Sequence, residues 1–357
     1  MPSSAGGASS PEGASAETYL QWLIRSTRTC WWHDSAEPAE LELGLERGAV
    51  GVTTNPFLVR LALENNRAVW SGEIRQVLEG NPAPEAKAEA LMGLVVRRAA
   101  ARLAPEHRRS GERMGYVCAQ VNPARAGDRE AMLGMARRFG AWAPNIAVKL
   151  PATAAGLDVL EEAVAEGITV TATVSFTVPQ VLAVAERYRA GLRRARERGL
   201  PPGRCFAVIM IGRLDDYLRE VAQDGRAGLS ESDIRQAGLA VVKRAYALYR
   251  QRGYEALLLV AALRGAYHLT ELAGAELVVS IAPAYQELFL SHALPRCERI
   301  QEAPPPEVVG RLSRLAEFVR AYQPEGMRPE EFISYGATQR TLAQFIEAGW
   351  RLLETFS

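Results

Sequence analysis

The 357 residues are 48% hydrophobic and 23% charged, with a formal net charge of +1. That balance supplies ample core, and it excludes the basic footprint that nucleic acid or an anionic membrane surface requires. No apolar run approaches the ~20 residues of a membrane span and no basic-then-apolar leader opens the chain, so a cytoplasmic setting is expected.

Residues 1–16 are rich in Ser, Gly, Ala and Pro and read as a disordered tail; residues 17–357 read as one domain. Glu17–Ser26 has the pattern of a short amphipathic helix carrying Tyr19, Trp22 and Leu23. Thr29–His33 is a β-prone run ending at Asp34. Pro38–Gly48 then reads as a helix with Leu41, Leu43 and Leu45 partly buried and Gly48 at its C-terminal cap. Ala49–Thr53 is a second strand, followed by helical sequence from Phe57 to about Ala104 with a break near Gly80–Pro84. Further strands are expected at Tyr116–Val121, Asn145–Leu150, Ile168–Ser175, Cys205–Ile211, Glu255–Ala261 and Leu277–Ile281. Helices are expected at Asp128–Phe139, Gly156–Glu166, Pro179–Arg198, Leu229–Gln251 and Tyr267–Ala273, and finally through Pro305–Tyr322 and Thr338–Thr355.

Eight strands alternating with helices predict an α/β protein: a single (β/α)8 TIM-type barrel with additional N- and C-terminal helices. A doubly wound open sheet is the alternative, although no GxGxxG follows the first strand to support dinucleotide binding. The cysteines Cys30, Cys118, Cys205 and Cys297 show no paired spacing, and His33, His107, His268 and His292 are scattered. They read as reduced thiols and isolated imidazoles, and no metal site is expected.

One stretch breaks the pattern. In Asn145–Thr153, NIAVKLPAT, Lys149 interrupts an apolar strand that Pro151 ends. Only Lys87, Lys149 and Lys243 are lysines; the other 39 basic residues are arginines. Where this chain needs mere positive charge it uses arginine, which cannot deprotonate and attack a carbonyl, whereas a lysine can form a Schiff base. The alternative is a lysine packing its stem on the core and extending its ammonium to water.

In a barrel, polar residues at the C-terminal ends of the strands share one pocket. In strand order these are Asp34; Thr53, Thr54 and Asn55; Gln120 and Asn122; Lys149; Thr171 and Thr173; then Arg213, Arg264 and Ser280. Each has an ordinary reading as well. Asp34 could cap the next helix, Asn55 before Pro56 could make a turn, Thr173 could be a plain β-branched strand residue, and the arginines could pair with surface carboxylates.

Gly51–Pro56 (GVTTNP), Val148–Thr153 (VKLPAT), Glu166–Phe176 (EGITVTATVSF), Ile211–Tyr217 (IGRLDDY) and Leu272–Pro283 (LAGAELVVSIAP) occur in the order of the transaldolase blocks. The chain therefore resembles a divergent member of the transaldolase family, class I Schiff-base aldolases. The resemblance implies transfer of a dihydroxyacetone unit between sugar phosphates, with no metal or organic cofactor. It implies Lys149 as Schiff-base nucleophile, Asp34 as acid/base, Thr173 beside the catalytic water, and Asn55 on the dihydroxyacetone unit. Arg213 and Arg264 match the arginines that grip phosphate, and Thr53 and Thr171 join the substrate-binding set.

There are four departures from the family pattern. Gln120 stands where the resemblance implies a glutamate, Thr171 an asparagine, and Val208 and Ala262 serines. Gln120 cannot exchange a proton at neutral pH, and the related fructose-6-phosphate aldolases carry Gln there too. Two further readings follow: a lyase releasing dihydroxyacetone, and a non-catalytic sugar-phosphate-binding paralogue. Sugar phosphates are the expected partners in each case. The oligomeric state is not fixed by the sequence, a homodimer being one reading.

Overall fold

Short β-branched and apolar runs separated by amphipathic helices can bury both sheet faces only by surrounding the strands with helices. The computed structural model, which describes residues 17–357, realises this as a closed barrel of eight parallel strands in sequence order. The strands are β1 (Cys30–His33), β2 (Gly51–Val52), β3 (Tyr116–Gln120), β4 (Ile146–Pro151), β5 (Val170–Thr173), β6 (Cys205–Met210), β7 (Leu257–Ala261) and β8 (Val278–Ile281). β1 pairs with β8 to close the ring. The tail expected over residues 1–16 lies outside the described residues.

Large side chains fill the barrel below the pocket. Trp32 of β1 meets Phe206 of β6 edge-on at 4.6 Å, and Tyr116 of β3 meets Phe206 at 5.6 Å. None of these strand pairs is adjacent, so all three rings point inward. Gly51 makes room for them, since a Cβ there would lie 2.4 Å from the Trp32 indole. The interior is a packed core, and the open end of the barrel is left for polar residues.

Four expectations need correction. Leu43 is exposed, because positions 41, 43 and 45 cannot share one helical face; Leu41 is buried and Leu45 is partly buried. β2 is shortened to two residues, although Val50 and Thr53 still donate backbone hydrogen bonds to Trp31 and His33 at 3.0 and 2.9 Å. A helix over Ile211–Asp224 follows β6 directly. No side chain caps its start, so the sequence carried no punctuation to announce it. The last helix is not continuous: it runs over Gly336–Phe345, widens to a π-turn over Ile346–Trp350 and resumes at Arg351–Glu354. There Gly349 lies against the Pro56–Phe57 backbone and Arg60 Nε donates to the Ala348 carbonyl at 3.1 Å.

Candidate active site

Pairing register brings Gln120, Lys149 and Thr171 side by side on β3, β4 and β5, with Pro151 beside Thr173 one step further up. Lys149 is 6% exposed. Among the described residues its ammonium makes one hydrogen bond, to the Thr54 carbonyl at 3.1 Å, and no carboxylate lies within ion-pair distance. The other two lysines are satisfied or exposed. Lys243, 8% exposed, donates to Glu271, Arg299 O and Glu302 O at 3.0, 3.1 and 2.9 Å. Lys87 is partly exposed and reaches Phe356 O at 3.3 Å. Of the three lysines, Lys149 alone has most of its donor capacity unused inside the protein among the described residues.

Asp34 does not cap a helix. The helix over Pro38–Glu46 starts at Glu37 without a side-chain cap. Asp34 instead accepts from the Thr53 hydroxyl at 2.7 Å, and Thr53 is also in hydrogen-bond contact with Ser280 on β8. If Thr53 donates to the carboxylate, Ser280 must donate to Thr53, giving a directed chain of hydroxyls behind Asp34. Burial pushes the Asp34 carboxyl above the ordinary aspartate value, and the Thr53 hydrogen bond and the charges of Lys149 and Arg213 oppose that rise.

Beside Lys149, Gln120 Oε1 and Thr173 Oγ1 are both buried with no partner among the described residues. An unpaired amide oxygen and an unpaired hydroxyl, on the two strands that flank β4, are suited to hold a water or a substrate hydroxyl. Thr171 is wholly buried and accepts from the Cys118 thiol at 3.6 Å, while Thr54 donates its hydroxyl to the Cys118 carbonyl at 2.7 Å. Asn55 does serve as a helix cap, its Oδ1 accepting from Leu58 N at 3.0 Å. Its amide Nδ2 has no partner among the described residues, so capping leaves a donor available.

The two arginines differ in their surroundings. Arg264 is exposed and gives Nε and Nη2 to Asp216 at 2.9 and 2.7 Å. Its loop is anchored by a buried relay, in which Arg264 N donates to His268 Nδ1 at 3.1 Å and His268 Nε2 contacts Asp215 at 2.9 Å. Because Nδ1 accepts, Nε2 carries the proton and donates to the carboxylate. Arg213 is partly buried, and burial followed by the nearby Arg264 charge lowers its guanidinium from the ordinary value. Asn122, by contrast, is not brought in: it bonds Glu85 at 2.7 Å and caps the turn at Ala124.

Sequence reasoning missed Gln344, Phe345 and Gln180, and it placed Thr54 in the pocket without its role. Thr54 acts through its backbone carbonyl, which no side-chain pattern reveals. Gln344 and Phe345 arrive from the last helix, Gln344 accepting from Arg213 and Phe345 lying 5.3 Å below the guanidinium. Gln180, wholly buried, was read only as part of an amphipathic helix. It accepts from Phe176 N at 2.9 Å and donates to Val174 O at 3.1 Å and Ala152 O at 3.4 Å, tying the loop after β5 to the end of β4. That brace holds Val174 at φ +52, a conformation costly for a β-branched residue. Gln180→Ala is expected to lower unfolding free energy by about 2–4 kcal/mol, since several buried backbone groups lose partners together. Urea denaturation monitored by circular dichroism checks this, and a change under about 0.5 kcal/mol would remove the bracing role.

Among the described residues, no group of three or more His, Cys, Asp or Glu side chains is placed to hold a metal, and no helix is long and apolar enough to cross a membrane. The family model for Transaldolase/Fructose-6-phosphate aldolase matches residues 31–328. A transaldolase of Neisseria gonorrhoeae is 29% identical over 234 residues, covering 64% of this chain and 63% of its own. Transaldolase 1 of Streptomyces avermitilis is 30% identical over 217 residues, 59% of this chain and 56% of its own. A transaldolase of Thermobifida fusca is 30% identical over 219 residues, 59% and 58%. The chain thus spans a little under two thirds of the length of these relatives. With the family model spanning most of the barrel, the chain belongs to the transaldolase/fructose-6-phosphate aldolase family.

Proposed function

We propose that the protein transfers a dihydroxyacetone unit between sugar phosphates through a Schiff base on Lys149. The observation that carries this reading is the isolation of Lys149: among the described residues, a buried amine with one backbone partner, on a strand flanked by two unpartnered polar side chains and close enough to the hydroxyl-anchored Asp34 for its charge to act on that carboxyl. Attack of the amine on a ketose carbonyl gives a carbinolamine, and loss of water gives a protonated imine. The bond between the α- and β-carbons of the imine then breaks, its electrons flowing into the imine while Asp34 takes the proton of the β-hydroxyl. An aldose phosphate leaves, and the enamine on Lys149 adds to an acceptor aldehyde. Water then releases the new ketose phosphate. Arg213 and Arg264 hold the phosphate end by charge-assisted hydrogen bonds, and Asn55 Nδ2 faces the dihydroxyacetone unit. A cytoplasmic setting suits the buried free thiols of Cys118 and Cys205.

Fructose 6-phosphate supplied with erythrose 4-phosphate tests this reading. A new ketose phosphate formed in proportion to acceptor supports transfer; no product with or without the acceptor would sink it. A second reading, a lyase, is favoured by Gln120. An amide can hold the water of the Schiff-base steps but cannot take its proton, so the covalent intermediate forms and resolves more slowly. Free dihydroxyacetone released without acceptor would support the lyase. On either reading, Gln120→Glu is expected to raise turnover at least tenfold, general acid–base catalysis being worth roughly 10²–10⁴. An unchanged kcat would show that Gln120 does not limit the proton transfers.

A further inference from the structure

Arg213 is a partly buried cation that the protein answers with a neutral group. No carboxylate among the described residues lies within ion-pair distance of it, whereas Arg264 has Asp216. The hydrogen-bond partner of Arg213 Nη1 is the amide oxygen of Gln344. A guanidinium only donates, so this contact orients the amide: Oε1 faces Arg213, and Nε2 with its two N–H groups faces away. Nε2 has no partner among the described residues, and Gln344 is exposed at the open rim. Phe345 beneath Arg213 fixes the plane of the guanidinium and so the position of the amide on it.

Gln344 is also held firmly for a rim residue. The π-turn that follows packs Gly349 on the Pro56–Phe57 backbone, immediately after Asn55, and Trp350 is buried beside it. The helix bearing Gln344 is therefore fixed against the loop after β2 while its side chain reaches the start of the helix after β6. On the other side, Ala262 offers no side-chain donor, and its backbone carbonyl is already occupied by Gly212 N and Arg264 Nη1.

We propose that Gln344 is a specificity-determining ligand for the substrate phosphate, its Nε2 donating to the same phosphate that Arg213 binds and supplying a donor that Ala262 cannot. This rests on the sugar-phosphate reading above. It follows from placing an anion on a cation whose one fixed neighbour is an amide: the anion meets the guanidinium N–H groups and the amide N–H groups together. A carboxylate at position 344 would instead fill the place of the phosphate.

Calorimetric titration with inorganic phosphate and with fructose 6-phosphate tests the proposal, alongside borohydride trapping of free dihydroxyacetone. Gln344→Ala is expected to weaken both phosphorylated ligands about three- to tenfold, the worth of one hydrogen bond. Gln344→Glu is expected to weaken them much further, and Gln344→Ala combined with Ala262→Ser to recover part of the loss. The ratio of phosphorylated-ligand affinity to dihydroxyacetone trapping should fall with each single variant. Wild-type affinity in Gln344→Ala, or an equal loss toward dihydroxyacetone, overturns the role of Gln344 while leaving the sugar-phosphate reading intact. Failure of the wild-type protein to bind either phosphorylated ligand is a different pattern, and it removes both.

Discussion

Lys149→Ala is expected to abolish the borohydride-trapped adduct and to lower kcat/KM by about 10⁴-fold or more, roughly 5 kcal/mol of transition-state stabilisation. The size follows from the chemistry: without the imine there is no electron sink for the carbanion left by C–C cleavage, and neither of the other lysines can substitute. Lys243 has its ammonium on one carboxylate and two carbonyls, and Lys87 lies on the outside of the barrel. The variant should also fold normally. It removes an amine with a single backbone partner, so it leaves one carbonyl, Thr54 O, to be solvated in a polar pocket. Single-turnover kinetics with fructose 6-phosphate measures the loss, and residual adduct at any other residue would contradict the assignment.

Asp34→Asn is expected to cost about 10²–10⁴ in kcat, the range for removing a general acid–base, with a smaller change in KM. Stability should move the other way. The folded-state value of Asp34 is raised, chiefly by burial, so its ionised form is disfavoured by folding. Its contribution therefore favours the fold below the unfolded aspartate value and is lost as pH rises through the raised folded value. At neutral pH Asn removes this penalty while keeping an acceptor for Thr53, so the variant should be as stable as wild type or more so. In the wild type, the acid limb of activity should lie above the ordinary aspartate value for the same reason. A pH–rate profile alongside thermal melts at two pH values checks both signs; a destabilised Asp34→Asn at neutral pH would show that the charge is favourable where it sits.

Much of this fold was legible because alternating short apolar runs and amphipathic helices repeat eight times, and a closed parallel barrel is the arrangement that buries all of them. The candidate site was legible wherever a residue type was out of place: a lysine in an apolar strand, an aspartate closing β1, threonines and an asparagine at the end of β2. It was opaque wherever the backbone or a distant helix does the work. Thr54 reaches Lys149 through its carbonyl, Gln344 reaches Arg213 across 131 positions of sequence, and Gln180 braces two loops from inside a helix whose periodicity looks ordinary. The helix after β6 was hidden because it begins directly on Met210 with no capping side chain. Asn55 shows that two readings need not exclude each other, since its oxygen caps the helix while its nitrogen stays available.

On the proposed mechanism, every step of the transfer depends on Lys149 forming an imine with a ketose phosphate. Borohydride reduction of the wild-type protein in the presence of fructose 6-phosphate, followed by peptide mass mapping, measures this directly. The predicted result is a reduced dihydroxyacetone adduct on the peptide containing Lys149, with Lys87 and Lys243 unmodified. An unmodified Lys149 after reduction with fructose 6-phosphate, or an adduct on Lys243 instead, would contradict it.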